Sequence, residues 1–306
     1  MPGSQDFAAD PRNEKALVYL NGTLVPRDEA KVSVFDAGFV LGDGVWEGLR
    51  LHKGKFLFLD THLDRLYEGA QSIALDIALS RTEMIAALRN TVDANRMESG
   101  VHIRLMVTRG PKKAPNQDPR NALGMPTVVI VAEHKEPSEE IVSRGLKLVT
   151  SSIRCTPKEM FDMRLNSHSR LGLIRAFLDV MEKGADEALM LDPHGFVSSC
   201  NATNFFWVKS GEVHTSSGKY CFNGVTRGNV IALCRANGLP IRLGDYPLEA
   251  AQAADEAFVT GTFGGLTPVR EIDGYTLPEA LPGPVTEKLR ALYAALKDAD
   301  AARADG

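Results

Sequence analysis

The chain has 306 residues, 44% hydrophobic and 24% charged, which suits two modest globular domains or one large one. A net charge of −4 and a pI near 6.0 argue against nucleic acid or an anionic membrane as the main partner. No apolar run is long enough to span a membrane, and the opening MPGSQDFAADPRNEK lacks the apolar core of a signal peptide, so a cytoplasmic protein is expected. Cys155, Cys200, Cys221 and Cys234 stand 45, 21 and 13 residues apart with no C-x-x-C pair. That spacing predicts neither a metal site nor a disulfide framework.

Residues 1–15 and 298–306 are polar and read as loose ends. From Ala16, ALVYLNG and TLVPRDEAKVSVFD read as strands about an Asn21-Gly22 turn, and LRLHKGKFLFLD as a hairpin about Lys53-Gly54-Lys55. In THLDRLYEGAQSIALDI, Thr61 is the expected N-cap, and Leu63, Leu66, Ala70, Ile73 and Ile77 keep helical spacing. A second helix over 81–96 precedes the strands VHIRLMVTRG and TVVIVAEH. Residues 16–134 therefore form an expected first domain, and the charged, proline-containing stretch 135–140 an expected linker. A second domain over 141–297 comes after it. LKLVTSSIR is its first strand, then a loop and a helix through Leu171, Ile174, Leu178 and Met181 that stops at Lys183-Gly184. The strands EALMLD and GFVSSCNATNFFWVKSGEVHT come next, then the helix RGNVIALCRANG, the strands LPIRL and AFVTGTF, and a closing helix over 284–297.

Two short segments suit a phosphate monoester, which calls for backbone N–H groups, hydroxyls and one fixed cation. Gly224-Val225-Thr226 opens a helix, where unpaired N–H groups and the positive dipole end point outward. Thr260-Gly261-Thr262 follows a strand and offers a second anion-binding turn. Each alone reads as a simple cap or turn, and His62 and Arg65 in HLDRL read as a solvated helix face.

In order along the chain, LNGTLVPRDEAKVSVFDAGFVLGDGVWEGLR, HLDRL, EALMLD, GVTRG and TGTFGGLTPV resemble the class IV aminotransferases. The likeness is to the branched-chain and D-amino acid aminotransferases and the aminodeoxychorismate lyases, over residues 16–296. The resemblance implies an α+β fold with a small N-terminal α/β domain and a larger C-terminal pseudo-barrel domain. It also implies pyridoxal phosphate (PLP) between the domains and a homodimer that completes the site. Arg65 would bind the cofactor phosphate, and Gly224, Val225, Thr226, Gly261 and Thr262 would complete the cup.

The resemblance also locates two departures. In branched-chain relatives the Schiff-base lysine lies about fifteen residues past a Ser-Ser pair, here Ser151-Ser152. In lyase-like relatives it lies about twenty-one before the glutamate of D-E-A-L, here Glu187. Both counts land on Asn166, whose carboxamide cannot form an imine. Ser199, in Val197-Ser198-Ser199, stands where the family has the glutamate that keeps the pyridine nitrogen protonated. Lys158, eight residues upstream of Asn166, is a candidate replacement amine or a solvated loop lysine. Arg170 is expected on the same helix face as Asn166, holding a substrate carboxylate, the cofactor phosphate or a structural ion pair. His168 is expected to point away from that face.

Substrate contacts are expected from Glu47, where relatives keep a substrate-facing group, and from His102 and Arg104, which share one strand face as cations suited to a carboxylate. The Lys- and Arg-rich loop 109–121 reads as solvated or as a steering stripe. Three readings remain open. The protein could be an enzyme for a small amino or oxo acid that keeps PLP, or its amine form, without a covalent tether. It could be a PLP-independent enzyme reusing the cup, or a non-catalytic sensor or partner subunit.

Overall fold

The computed structural model describes residues 3–278 and 280–303. In chain order its elements are β1 (Leu17–Leu20), β2 (Thr23–Pro26), α1 (Ala37–Leu41), β3 (Gly44–His52), β4 (Lys55–Phe56), α2 (Leu59–Ser72), α3 (Arg81–Ala94), β5 (Val101–Thr108) and β6 (Thr127–His134). Next come α4 (Glu139–Arg144), β7 (Leu146–Thr150), α5 (Leu171–Met181), β8 (Glu187–Leu191), β9 (Val197–Cys200), β10 (Asn204–Lys209) and β11 (Glu212–Ser216). The last are α6 (Val225–Ala236), β12 (Ile241–Gly244), α7 (Leu248–Gln252), β13 (Glu256–Gly261), β14 (Gly265–Ile272), β15 (Tyr275–Thr276) and α8 (Pro284–Ala301).

Two compact units result, an α+β arrangement with one sheet in each. The first comprises residues 8–136 and 165–170. Its six strands run in the order β2-β1-β6-β5-β3-β4, all antiparallel. Period-two alternation decides what each face carries. Val101, Ile103, Leu105 and Val107 of β5 and Val45, Leu49 and Leu51 of β3 enter the core, where Leu63, Leu66 and Ala70 of α2 and Met84, Leu88 and Val92 of α3 meet them. The second unit, residues 3–7, 137–164 and 171–302, holds a nine-stranded half-barrel ordered β12-β11-β10-β13-β14-β7-β8-β9, with β15 paired to β14.

Several local expectations are corrected. Helix α2 begins at Leu59, so Thr61 lies inside it; the N-cap is Phe58, in the left-handed region at φ 53°. The stretch before residue 16 is not loose throughout, because Pro11–Lys15 is a 3-10 helix. Asn13 fixes it, donating from Nδ2 to the His134 carbonyl at 2.9 Å and accepting from the His134 N–H at 2.8 Å. At the other end α8 runs on to Ala301, past the expected start of a loose tail, and residues 304–306 lie outside the described residues. The units divide after residue 136, and α4 takes up the end of the expected linker at residues 139–140.

Residues 165–170 return to the first unit instead of starting α5. The Trp46 N–H donates to the Asn166 carbonyl at 3.0 Å and the His168 N–H to the Gly44 carbonyl at 3.0 Å, about a bridge between Val45 and Ser167. Backbone pairing with the exposed edge of β3 thus holds this segment extended, and helix begins only at Leu171. Asn166 and Arg170 do not share a helix face.

Asn13→Ala leaves a buried N–H and C=O of His134 without their partners. It should cost about 2 kcal/mol, read as a lower urea midpoint with unchanged slope.

Candidate active site

Strand β3 carries a carboxylate into an apolar face. Glu47 is 0% exposed and lies on the same side of the strand as Val45, Leu49 and Leu51. Its Oε1 accepts from Arg65 Nε at 2.7 Å, and its Oε2 from Arg65 Nη2 at 2.7 Å. His62 Nδ1 meets Oε2 at 2.7 Å. Burial pushes the Glu47 carboxyl up, but the hydrogen bonds from Arg65 and then His62 outweigh it and hold it below the ordinary value. Glu47 is therefore not on the side of the sheet that carries His102 and Arg104. Nor is HLDRL a solvated face, since His62 is buried against this carboxylate.

Asn166 is 4% exposed. Its Nδ2 donates to the Trp46 carbonyl and lies 3.5 Å from Glu47 Oε1, while its Oδ1 accepts from Arg170 Nη2. Arg170 was expected on a shared helix face with Asn166; the two instead meet through this hydrogen bond across an extended segment. Burial, then repulsion from Arg104 and Arg65, lowers the Arg170 guanidinium to about 10, so it stays charged at neutral pH. His168 is half-buried, and burial lowers its pKa.

The other face of the sheet presents Trp46, Gly48 and Arg50 of β3 opposite Met106, Arg104 and His102 of β5. Arg104 lies over the Trp46 ring, with Cζ 3.7 Å from its centroid. Trp46 Nε1 donates to the Ser167 carbonyl at 3.1 Å, which fixes the indole. The shared face of His102 and Arg104 is present, but only one of the pair is a cation. Burial, helped by Lys135 and Arg104, drives His102 down to about 3, so it is neutral at pH 7.

Gly224, Val225, Thr226, Gly261 and Thr262 all lie in the second unit. Register pairs Asn204 of β10 with Thr260 of β13. Asn204 reaches on to the start of α6, accepting from the Gly224 N–H at 3.1 Å and donating to the Phe222 carbonyl at 2.6 Å. A Cβ on Gly224 would lie 2.5 Å from Asn204 Oδ1, so the close approach requires glycine. The N-cap of α6 is Gly224, which has no side chain to accept from the first N–H groups of the helix. Val225 and Thr226 are buried, Gly261 and Thr262 half-buried, and Thr226 Oγ1 lies 3.4 Å from the Tyr293 hydroxyl of α8. Thr260 Oγ1 is buried without a hydrogen-bond partner among the described residues. An uncapped helix start and an orphaned hydroxyl fit a phosphate.

Ser199 does not present itself to a ligand. Its hydroxyl donates to the Thr203 carbonyl at 2.7 Å and accepts from Asn204 Nδ2 at 3.2 Å. A hydroxyl carries one donor hydrogen, and this one is used within the hairpin. Beside it Thr203 Oγ1 donates to Glu187 Oε2 at 2.6 Å, and Ser4 Oγ donates to Glu187 Oε1. Burial, moderated by the Thr203 hydrogen bond, raises the Glu187 carboxyl to about 7. Lys158 is exposed on its loop. In the loop 109–121 cations are tied down locally: Arg109 to Asp43 at 2.6 Å, Arg120 to Asp118 at 2.7 Å, and buried Lys112 to the Asp118 carbonyl at 2.8 Å.

Sequence reasoning missed Trp46, Asn204 and Tyr293. Trp46 was signalled by strand alternation, which places it on the same side as Gly48 and opposite Glu47. Asn204 and Tyr293 are far from the motifs they support and carried no local signal.

The neutral state of His102 has a pH consequence. An unfolded imidazole takes up its proton near 6.5, whereas the folded one resists until about 3. Stability should therefore fall as pH drops from 6.5 toward 3, with no change from this group above 6.5. His102→Gln should flatten that acid slope in urea unfolding measured across the range.

Comparison with known proteins identifies the family. The profile of the family amino-transferase class IV matches residues 44–272. The chain is 39% identical over 289 residues, 94% of its length, to "Branched-chain-amino-acid aminotransferase-like protein 2" of Arabidopsis thaliana, of which it spans about half (51%). It is 36% identical over 274 residues to the "Putative branched-chain-amino-acid aminotransferase" of Methanocaldococcus jannaschii, covering 89% of this chain and 93% of that one. Two crystal structures of a branched-chain amino acid aminotransferase from a T.th. strain superpose on 93% of this chain and 95% of theirs. The complex with pyridoxamine 5'-phosphate gives a TM-score of 0.84, and that with 4-methylvaleric acid 0.85, both at 29% identity. With the family profile spanning residues 44–272 and relatives at 36–39% identity, the chain belongs to the class IV aminotransferases.

Proposed function

We propose that this chain binds PLP, or its amine form, without a covalent lysine tether, and acts on a small amino or oxo acid by chemistry altered from ordinary transamination. The observation that carries the reading is the cup: an uncapped α6 start beside the buried, unpartnered Thr260 hydroxyl. In this reading Gly224, Val225, Thr226, Gly261 and Thr262 hold the cofactor phosphate. Bound PLP supplies an electron sink for the pair released at the substrate Cα.

The chain's own residues limit the chemistry. The Asn166 amide is neither an imine-forming nucleophile nor a base at neutral pH. Glu47 is clamped by two partners and so poorly placed to move a proton. With Ser199 in place of a carboxylate, nothing at that position holds a proton on the pyridine nitrogen. Transamination is accordingly expected to be slow compared with lysine-bearing relatives. A second reading, a PLP-independent enzyme using the cup for another phosphate monoester, is favoured by one fact: the Ser199 hydroxyl proton is spent on Thr203.

We further propose a homodimer. Leu171, Ile174, Leu178 and Met181 form one exposed stripe on α5, at 69, 55, 54 and 49% exposure, opposite its buried Ala176 and Val180. A second copy of the chain covers such a stripe in this reading.

Absorbance spectroscopy after incubation with PLP or pyridoxamine 5'-phosphate tests the cofactor. The expected result is a near-ultraviolet band that dialysis removes and borohydride does not fix to the chain. A visible band fixed by borohydride would reveal a replacement lysine, and no band with either form would remove the cofactor. Asn166→Lys should gain the borohydride-fixed band. For the dimer, light scattering on Leu178→Glu should give a monomer, and a persisting dimer would exclude the α5 stripe as its interface.

A further inference from the structure

Helix α6 carries a buried cation in its first turn. Arg227, its third residue, is 6% exposed. The side chain turns back along the loop that precedes the helix. Its Nη2 donates to the Ser216 carbonyl at 2.7 Å, and its Nη1 to Asn223 Oδ1 at 3.1 Å. Ser216 ends β11 and Asn223 precedes the Gly224 cap, so both ends of the loop hold the guanidinium beside the helix start. A Cβ on Gly218, at φ 85°, would lie 3.3 Å from Nη2, which places the loop backbone against the fork as well.

Both partners are neutral, and Arg227 forms no ion pair among the described residues. Its Nε is buried there without a hydrogen-bond partner. Asp245 reaches the same loop, but it accepts from Ser217 Oγ at 2.6 Å and faces Lys219 Nζ at 3.5 Å. The titratable group that acts on the guanidinium is the Cys221 thiol, which burial pushes up, so it is uncharged at neutral pH. A guanidinium stays charged when buried, and hydrogen bonds to carbonyl oxygens offset its desolvation only in part. The positive end of the α6 dipole adds charge of the same sign. Thr260 Oγ1, 1% exposed and unpartnered among the described residues, stands on β13 opposite Asn204, whose side chain reaches Gly224.

We propose that Arg227 is a positioning residue whose unmatched charge makes the α6 start select a dianionic phosphate monoester over a monoanion of the same shape. Its fork is occupied by Ser216 and Asn223, so it acts on the anion through charge. Attraction across buried protein is several times stronger than across water. A phosphate monoester carries close to two negative charges at pH 8, and a sulfate monoester one. The inference rests on the anion-binding reading of the α6 start above but not on retention of PLP.

The test is isothermal titration calorimetry of the full chain at pH 8 and fixed ionic strength, with methyl phosphate and methyl sulfate as probes. The wild-type chain should bind methyl phosphate at least about tenfold more tightly than methyl sulfate. Arg227→Gln keeps an amide donor in the loop but no charge. It should weaken methyl phosphate about tenfold and methyl sulfate less, so that most of the preference is lost. Arg227→Lys keeps the charge and should restore the preference. Far-ultraviolet circular dichroism and melting midpoints identify variants that fail to fold. The wild-type comparison stands without them: equal affinity for the two esters overturns the proposal.

A preference unchanged in Arg227→Gln would also overturn it. So would equal losses in the glutamine and lysine variants, which would assign Arg227 to loop structure through its hydrogen bonds alone. The two readings fail separately. No binding of either ester by wild type removes the anion site and this inference with it. Methyl phosphate binding whose selectivity is indifferent to Arg227 removes only this inference.

Discussion

The first unit depends on one buried negative charge. Glu47 projects from β3 into a face otherwise built of valine and leucine, where an unpaired carboxylate would carry a cost of several kcal/mol. His62 and Arg65, one turn apart on α2, remove that cost by supplying three contacts at 2.7 Å. The clamp locks α2 to β3, orients Arg65 and uses up the carboxylate. The same clamp sets what the neighbouring position tolerates. Asn166 Nδ2 lies 3.5 Å from Glu47 Oε1, so its amide completes the polar cluster without changing the charge.

Within each unit, polar side chains at the candidate positions are engaged by local partners. Asn166 is held in an extended strip along β3, where it serves Trp46 and Arg170. On the β9–β10 hairpin, Ser199 and Thr203 turn their hydroxyls inward, the first to the hairpin backbone and the second to Glu187. Hydroxyls at these places satisfy the chain's own polar atoms. The α6 start and Thr260 do not, and they retain open donors.

Much of this was legible locally. Gly224-Val225-Thr226 marks a helix start because glycine permits the approach to Asn204, and the alternation VHIRLMV puts His102 and Arg104 on one face. The burial of Glu47 was also readable, since Val45, Glu47, Leu49 and Leu51 alternate on one side of β3. That phase excludes Glu47 from the side that carries Arg104. The charge state of His102 was not readable, because it comes from burial among cations brought in from other strands. Nor was the true path of Asn166, since helical spacing at Leu171, Ile174 and Leu178 was extended upstream into residues that β3 claims by backbone pairing.

The family, the order of the elements, the glycine–threonine motifs and the asparagine and serine at positions 166 and 199 were all present in the linear chain. These are properties of short segments, set by side-chain periodicity, glycine and the chemistry of single residues. Three outcomes required the folded molecule: Glu47 is a clamp, Ser199 is satisfied internally and Asn166 holds Arg170 beside Trp46. Each depends on partners from 4 to 120 residues away. The competition among them for one hydrogen-bonding atom is settled by packing, which no local pattern encodes.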